Sequence, residues 1–103
     1  MSKANLKSTP NSVHDCNLIT LRKQNTGTGS ITAFENSSAY PFSIKRCFYL
    51  FDVPSGETRG GHAHRELDQF VISASGSFDI ILEDGINKRV VRLNQPNEGL
   101  YIP

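Results

Sequence analysis

The chain has 103 residues, of which 37% are hydrophobic and 20% are charged, and its formal net charge is +1. This length suits one small domain. The balanced charge argues against a nucleic-acid-binding face, which needs a clustered basic excess. No apolar run approaches the ~18 residues of a membrane span, and residues 1–11 lack the apolar core of a signal peptide. We therefore expect a cytoplasmic domain with neither nucleic acid nor membrane as a partner.

The first third of the chain is predicted to contain a leader followed by short extended segments. Residues 1–16 are polar and show little periodicity, so we expect a flexible leader over 1–16 and a single domain over 17–103. Residues 17–23 predict a short strand, residues 24–29 a turn, and residues 30–35 a second extended segment. Cys16 and Cys47 are the only cysteines, and two free thiols are more consistent with a reducing cytoplasm than one disulfide.

Residues 42–53 have the strongest strand signal, because they are rich in aromatic and β-branched side chains. In a strand, Arg46 would share a face with Ile44 and Phe48, whereas Tyr49 would lie on the other face. An arginine among apolar side chains either reaches water from a strand end or is reserved for an anionic ligand. Both interpretations stay open from the residues alone.

The remaining segments predict more strands and no helix. Residues 70–74, 77–82 and 88–93 are extended by composition, and a further extended piece begins at Gly99. Asp84-Gly85 predicts a hairpin, since this pair supplies the positive φ angles of a tight turn. No stretch has helical periodicity over ten or more residues. Short strands separated by turns at this spacing predict an all-β sandwich or barrel.

His62 and His64 are the strongest candidates for a functional site. Residues two apart point to the same side of a strand, and glycines just before the pair allow close approach of the backbone. Three chemistries use such a pair: metal binding, proton transfer near neutral pH, and hydrogen bonding to a ligand. A metal site usually needs a third or fourth ligand, and the amide of Gln69 is a poor substitute for a carboxylate.

The spacing around this pair resembles a known motif. Gly56, five residues, His62, one residue, His64, four residues, Gln69, six residues and Gly76 resemble the first cupin motif, with glutamine in place of its glutamate. This resemblance implies a cupin-type jelly roll or small β-barrel.

A closer resemblance extends from about residue 29 to residue 103. The segments 41–46, 59–64, 76–77, 84–85 and 99–101, together with Tyr49 and Gln69, resemble the WxcM-like sugar 3,4-ketoisomerases. The resemblance implies an enzyme that moves the carbonyl of dTDP-4-keto-6-deoxyglucose from C4 to C3, without a metal or other cofactor. Such enzymes supply amino sugars for bacterial surface polysaccharides, and the family is commonly a homodimer that exchanges N-terminal strands.

The resemblance also implies roles for individual residues. His62 and His64 become the catalytic pair that handles the migrating protons, and either can be the base. Arg46 and Arg59 become candidates for holding the diphosphate, where a guanidinium fork suits phosphate oxygens. Tyr49 and Gln69 complete the expected substrate-binding set.

The sequence departs from the family pattern at Thr28, at Phe48 and at its end. Thr28 and Phe48 stand where relatives often carry larger polar and hydroxyl-bearing residues, respectively. The chain stops at Pro103, where relatives continue into further strands, so we expect a barrel that is incomplete at its C-terminal end. Two alternatives therefore stay open: a metal-dependent cupin enzyme, and a shortened, non-catalytic sugar-nucleotide-binding protein.

Overall fold

The computed structural model describes residues 2–5, 12–57, 59–63 and 68–103. These residues form an all-β fold, as the sequence predicts, together with one short 3-10 helix at Val13–Asp15 that was not predicted. The strands are β1 (Ser2–Asn5), β2 (Asn17–Thr20), β3 (Gln24–Asn25), β4 (Ser30–Ile31), β5 (Arg59–Ala63), β6 (Gln69–Ile72), β7 (Phe78–Glu83), β8 (Lys88–Leu93) and β9 (Glu98–Ile102). Among the described residues, no helix is long and apolar enough to cross a membrane.

The strands form two principal sheets and one small ribbon. The larger sheet has the order β5-β1-β7-β8, and the second has the order β2-β9-β6. β1 runs parallel to both β5 and β7, whereas β9 is antiparallel to both of its neighbours. β3 and β4 form the separate two-stranded ribbon.

The β7–β8 hairpin is the most regular part of the larger sheet. Six residue pairs connect the two strands without a break, from Phe78 opposite Leu93 to Glu83 opposite Lys88. Gly85 takes the positive φ of +90° that the turn requires. The carboxylate of Asp84 accepts hydrogen bonds from the backbone N–H groups of Ile86 and Asn87, at 2.9 and 2.6 Å. The predicted Asp-Gly hairpin is confirmed.

The hydrophobic core lies between this hairpin and β9. Alternation along each strand directs every second side chain inward, so apolar side chains of both sheets meet. The core comprises Val13, Cys16, Ile80, Leu82, Val91, Leu93, Leu100 and Ile102. Full burial of one such aliphatic side chain stabilises the fold by about 1.5–3 kcal/mol, and this packing joins the two sheets.

The hairpin also anchors the segment that enters β2. The backbone N–H of Val13 donates to the carboxylate of Asp84 at 3.0 Å, and Arg89 donates to the carbonyl oxygens of Val13 and Cys16 at 3.1 and 2.8 Å. The N–H groups of Asn87, Ile86 and Val13 lower the pKa of Asp84. Both Val13 and Cys16 are buried, so this end of the predicted leader packs against the core. The domain boundary at residue 17 stays a prediction.

The two cysteines are free thiols, as predicted. Cys16 is buried, and its burial raises the pKa of the thiol to about 11. Cys47 is exposed on the surface.

Two segments differ from the sequence prediction. Residues 42–53 were predicted to be the strongest strand, but they are irregular, and most of their side chains are exposed. A strand is stable only when its backbone groups find partners, and no strand in the described part of the chain pairs with this segment. Ser2–Asn5, which shows no strand pattern, instead fills the position beside β5. Pairing partners on both sides override its weak local preference.

The backbone at Gly99 in β9 lies close to an aromatic ring of β6. A Cβ atom at this position would overlap the ring of Phe70, whose Cε1 atom would lie only 2.6 Å away. We expect Gly99→Ala to lower the free energy of unfolding by about 1–3 kcal/mol because the ring must move. Urea denaturation measures this change.

Gly29→Ala is the matched control, because the space around Gly29 is open. We expect its effect to stay within about 0.5 kcal/mol. Replacing Phe70 by leucine in the Gly99→Ala background should reduce the penalty for the added methyl group. A Gly99→Ala protein as stable as the Gly29→Ala protein would contradict the packing described for this position.

Candidate active site

The strand that carries His62 follows a tight turn. The N–H of Glu57 donates to the carbonyl oxygen of Pro54 at 3.1 Å, and Gly56 has a φ of +87°. A glycine with positive φ at the third position is typical of a type II turn. β5 then runs from Arg59 to Ala63, so the prediction of an extended chain through His62 is confirmed. His64 lies outside the described residues.

The pairing of β5 with β1 contains an irregularity at the motif. Lys3 is opposite Gly60 and Asn5 is opposite Ala63, so β5 has one extra residue over this interval. Such a bulge shifts the alternation of a strand by one residue. The register of β5 against β1 therefore differs by one residue between Arg59 and Ala63.

Gln69 begins β6 in the other sheet. It lies opposite Ile102 of β9 and is half-buried. β5 and β6 belong to different sheets, although few residues separate them in the sequence. The candidate site therefore spans the two sheets, and its geometry depends on how they pack.

An aromatic cluster lies beside Gln69 and was not predicted from the sequence. Its members are Phe34, Tyr40, Phe42, Phe70 and Tyr101. Phe42 stacks on Tyr101 with ring centroids 4.9 Å apart, and Phe34 stacks on Phe70 at 5.1 Å. Aromatic pairs at these distances attract beyond simple area burial. The cluster holds the loop of residues 34–42 against β6 and β9.

Two further contacts fix the edges of this cluster. The hydroxyl of Tyr101 donates to the carboxylate of Asp68, immediately before Gln69, at 3.3 Å. Burial, followed by the negative charge of Asp68, raises the pKa of Tyr101. The side chain of Asn36 accepts from the N–H of Ile44 at 2.7 Å and donates to its carbonyl oxygen at 3.3 Å, which closes the loop.

Arg46 and Tyr49 lie on the irregular segment beyond this closure. The guanidinium of Arg46 lies over the ring of Phe48, 5.3 Å from its centroid. Tyr49 is 80% exposed, and its ring centroid is 5.7 Å from that of Phe51. Residues 49–54 and Glu57 line an open depression of about 450 Å³. The structure thus places Arg46 and Tyr49 before the turn, Arg59 and His62 on β5, and Gln69 on β6.

Comparison with known proteins places this chain in one family. The family described as "FdtA: WxcM-like, C-terminal" matches residues 14–103. The chain belongs to this family, as its sequence pattern implies.

Individual relatives agree with this assignment. Over 85 residues the chain is 40% identical to the TDP-4-oxo-6-deoxy-alpha-D-glucose-3,4-oxoisomerase of Aneurinibacillus thermoaerophilus, an alignment that covers 82% of this chain and 61% of that protein. It is 46% identical to the TDP-quinovose 3,4-ketoisomerase WlaRB of Campylobacter jejuni, with a TM-score of 0.79, covering 87% of this chain and 69% of that one.

A third relative has been solved with a ligand. The sugar 3,4-ketoisomerase QdtA of Thermoanaerobacterium thermosaccharolyticum, in complex with TDP, is 34% identical, with a TM-score of 0.82, covering 88% of this chain and 66% of that one. A histidine-to-asparagine variant of QdtA has been solved with TDP-4-keto-6-deoxyglucose. The chain thus spans about three fifths of the length of the curated relative and about two thirds of these structures.

The aromatic cluster gives a test of how the site is supported. Phe42 contacts the rings of Phe34, Phe70 and Tyr101. We expect Phe42→Ala to lower the free energy of unfolding by about 2–4 kcal/mol, because it removes a shared ring and leaves a gap. Thermal or urea unfolding measures the change.

Phe48→Ala makes the same chemical change at a side chain that is 65% exposed. We expect it to alter stability by less than about 0.5 kcal/mol. Equal losses in the two variants would show that the cluster does not stabilise this face of the second sheet.

Proposed function

We propose that this chain catalyses the migration of the carbonyl of TDP-4-keto-6-deoxyglucose from C4 to C3. The observation that carries the proposal is the sequence Arg59-Gly60-Gly61-His62-Ala63-His64. Its first five residues form β5, and the chain belongs to this family. The second support is the relatives, which are named as TDP-sugar 3,4-ketoisomerases. The product would serve bacterial surface polysaccharide synthesis.

The reaction is a proton relay that needs no redox partner. A base removes the proton from C3, and the electrons of that C–H bond form an enediolate across C3 and C4. A proton is then delivered to C4. The hydroxyl group on C3 gives up its proton and becomes the carbonyl group, while the former carbonyl oxygen on C4 takes up a proton and becomes the hydroxyl group. Histidine titrates near neutral pH and can both accept and donate protons. His62 and His64 are the residues that we assign to these transfers.

Gln69 favours this reaction over metal-dependent chemistry. It occupies the position where the cupin motif has a glutamate, and an uncharged amide oxygen is a weaker ligand for a divalent cation than a carboxylate. On the half-buried start of β6, its amide instead offers both a donor and an acceptor to sugar hydroxyl groups. A metal-dependent cupin enzyme is the enzymatic alternative.

Arginine and tyrosine side chains supply the expected contacts to the nucleotide. Arg59 and Arg46 present planar guanidinium groups that suit bidentate binding of phosphate oxygens. Tyr49 adds a hydroxyl group, and its 80% exposure leaves the phenol accessible to a ligand. We assign Arg46, Arg59, Tyr49 and Gln69 to substrate binding; a protein that binds the sugar nucleotide without turning it over is the non-enzymatic alternative.

We also propose that the active form is a cytoplasmic homodimer that exchanges N-terminal strands. The pairing of β1 with neighbours on both sides supports an N-terminal segment that is competent to join a sheet. The two free cysteines are consistent with a reducing compartment. Light scattering of the purified chain measures the subunit number.

Replacing either histidine should separate catalysis from binding. We expect His62→Asn or His64→Asn to reduce exchange of the C3 proton with deuterated water by at least about 100-fold, because a general acid or base contributes that much or more. Affinity for TDP should change little. Proton NMR of TDP-4-keto-6-deoxyglucose follows the exchange, and isothermal titration calorimetry measures the affinity.

The control for this pair is His14→Asn, which alters an exposed histidine outside the motif. It should leave the exchange rate unchanged. Full activity in both motif variants would refute the acid–base assignment, whereas binding without any C3 exchange in the wild-type chain would favour the non-catalytic alternative.

Arg59→Ala should instead weaken nucleotide binding. A hydrogen bond to a charged group contributes about 1.5–3 kcal/mol, so we expect a roughly 10- to 100-fold rise in the dissociation constant for TDP. Arg92→Ala removes the same charge from an exposed pair with Asp79 and should have little effect. Equal affinities of the Arg59→Ala and Arg92→Ala proteins for TDP would show that Arg59 does not bind the diphosphate.

A further inference from the structure

Gln69 projects into the space between the two sheets. It lies directly opposite Ile102 in the antiparallel pair of β6 and β9, and residues that are opposite each other project from the same face of a sheet. Ile102 belongs to the hydrophobic core and is only 3% exposed. The face of β6 that carries Gln69 is therefore the face that packs towards the larger sheet, which includes β5 and its histidine.

The two residues on either side of Gln69 are held from the opposite face of the sheet. Phe70 lies opposite Tyr101, and both rings contact Phe42, at centroid distances of 5.6 and 4.9 Å. The carboxylate of Asp68 accepts a hydrogen bond from the hydroxyl of Tyr101 at 3.3 Å. Tyr101 thus engages both neighbours of Gln69, one through a hydrogen bond and the other through strand pairing.

Tyr101 is itself held in place and keeps its proton. Its ring is nearly parallel to that of Phe42, with an interplanar angle of 9°, and this stacking fixes the direction of the hydroxyl group. Burial, followed by the negative charge of Asp68, raises the pKa of Tyr101 above its ordinary value of 10.0. The phenol therefore stays protonated, and able to donate, around the pH of about 6.5 at which histidine ordinarily titrates.

We infer that Tyr101 is a positioning residue for the proposed isomerisation. Its hydrogen bond to Asp68 restrains the chain where β6 begins and thereby keeps the amide of Gln69 directed at the sugar. The effect on catalysis rests on the proposed function, because the substrate contact of Gln69 belongs to it. The restraint on Asp68 and Gln69 does not.

A role of this kind affects turnover more than stability. Asp68 is exposed, so loss of its hydrogen bond to Tyr101 leaves the buried core in place. Catalysis is more sensitive, because a misplacement of about 1 Å can lower a rate about 100-fold. A small movement of Gln69 is therefore visible in the rate before it is visible in unfolding.

Tyr101→Phe removes the hydroxyl group and keeps the ring that stacks on Phe42. We expect kcat for exchange of the C3 proton to fall about 10-fold, whereas affinity for TDP, which lacks the keto sugar, stays unchanged. Tyr40→Phe removes a hydroxyl group from the same aromatic cluster and is the matched control, with an unchanged kcat. Proton NMR and calorimetry measure the two quantities. Equal kcat values in Tyr101→Phe and the wild type would overturn the inference.

A Gln69→Ala background distinguishes positioning from general support of the fold. If Tyr101 acts through Gln69, the two substitutions are not additive, and Tyr101→Phe should lower kcat by less than about twofold in this background. A structural role would instead lower kcat by the same factor in both backgrounds. That result would contradict the positioning role.

Two substitutions of Asp68 isolate the hydrogen bond from the charge. Asp68→Ala and Asp68→Asn both remove the negative charge, but only asparagine keeps a side-chain oxygen that can accept from Tyr101. We expect Asp68→Ala to match the loss in Tyr101→Phe and Asp68→Asn to stay within about threefold of the wild type. Equal losses in the two Asp68 variants would show that the hydrogen bond is not responsible.

Nitrogen-15 relaxation of the full chain without substrate tests the restraint independently of turnover. We expect the order parameter of the backbone amide of Asp68 to fall from about 0.85 to below about 0.6 in Tyr101→Phe and in Asp68→Ala. This loss of order in a chain whose wild type never exchanges the C3 proton would support the restraint and contradict the proposed function. Turnover by the wild type with unchanged order in both variants would support the function and overturn the positioning role.

Discussion

The packing of the β7–β8 hairpin against β9 is the constraint on which the rest of the structure depends. Ile80, Leu82 and Leu93 on one side and Leu100 and Ile102 on the other form a continuous buried layer. This layer is the main apolar connection between the four-stranded and three-stranded sheets. β5 and β6 lie in different sheets, so the distance between the histidine motif and Gln69 follows from this core and not from local sequence.

Polar contacts join the β7–β8 hairpin to the segment that precedes β2. Asp84 receives three backbone N–H groups, and Arg89 donates to two carbonyl oxygens, so the hairpin holds the segment that leads into β2. Because the pKa of Asp84 is lowered in the folded state, its contribution is present above the ordinary carboxyl pKa and is lost as the pH falls through the lowered value. The pKa of Cys16 is raised to about 11 from 9.0. Its contribution is therefore present below pH ~9 and is lost as the pH rises through the raised value.

Local chemistry made much of this fold predictable. Asp84-Gly85 determines its own turn, and the alternating apolar residues on either side determine which faces are buried, so β7 and β8 followed from the sequence. The histidine pair was also evident, because its spacing and flanking glycines are local features. The aromatic cluster was not evident from the sequence, because Phe34 and Phe42 contact Phe70 and Tyr101 only when distant segments of the chain pack together.

The wrong prediction at residues 42–53 has the same origin. Composition determines the preference of a segment for the extended state, but a strand also requires a free neighbouring edge. Here β1 holds the edge of β5, and no strand among the described residues pairs with residues 42–53. The placement of Arg46 and Tyr49 therefore depends on pairing between distant segments, which the local sequence does not reveal.

The central claim is that this chain moves protons on a sugar nucleotide through histidine and without a bound metal. The most direct test combines metal analysis of the purified wild-type chain with proton NMR of TDP-4-keto-6-deoxyglucose in deuterated water. We predict that the C3 proton signal disappears and that a 3-keto product forms, at a metal content far below one per chain. Exchange that requires stoichiometric iron, nickel or zinc would contradict this account, as would a substrate that binds and keeps its C3 proton.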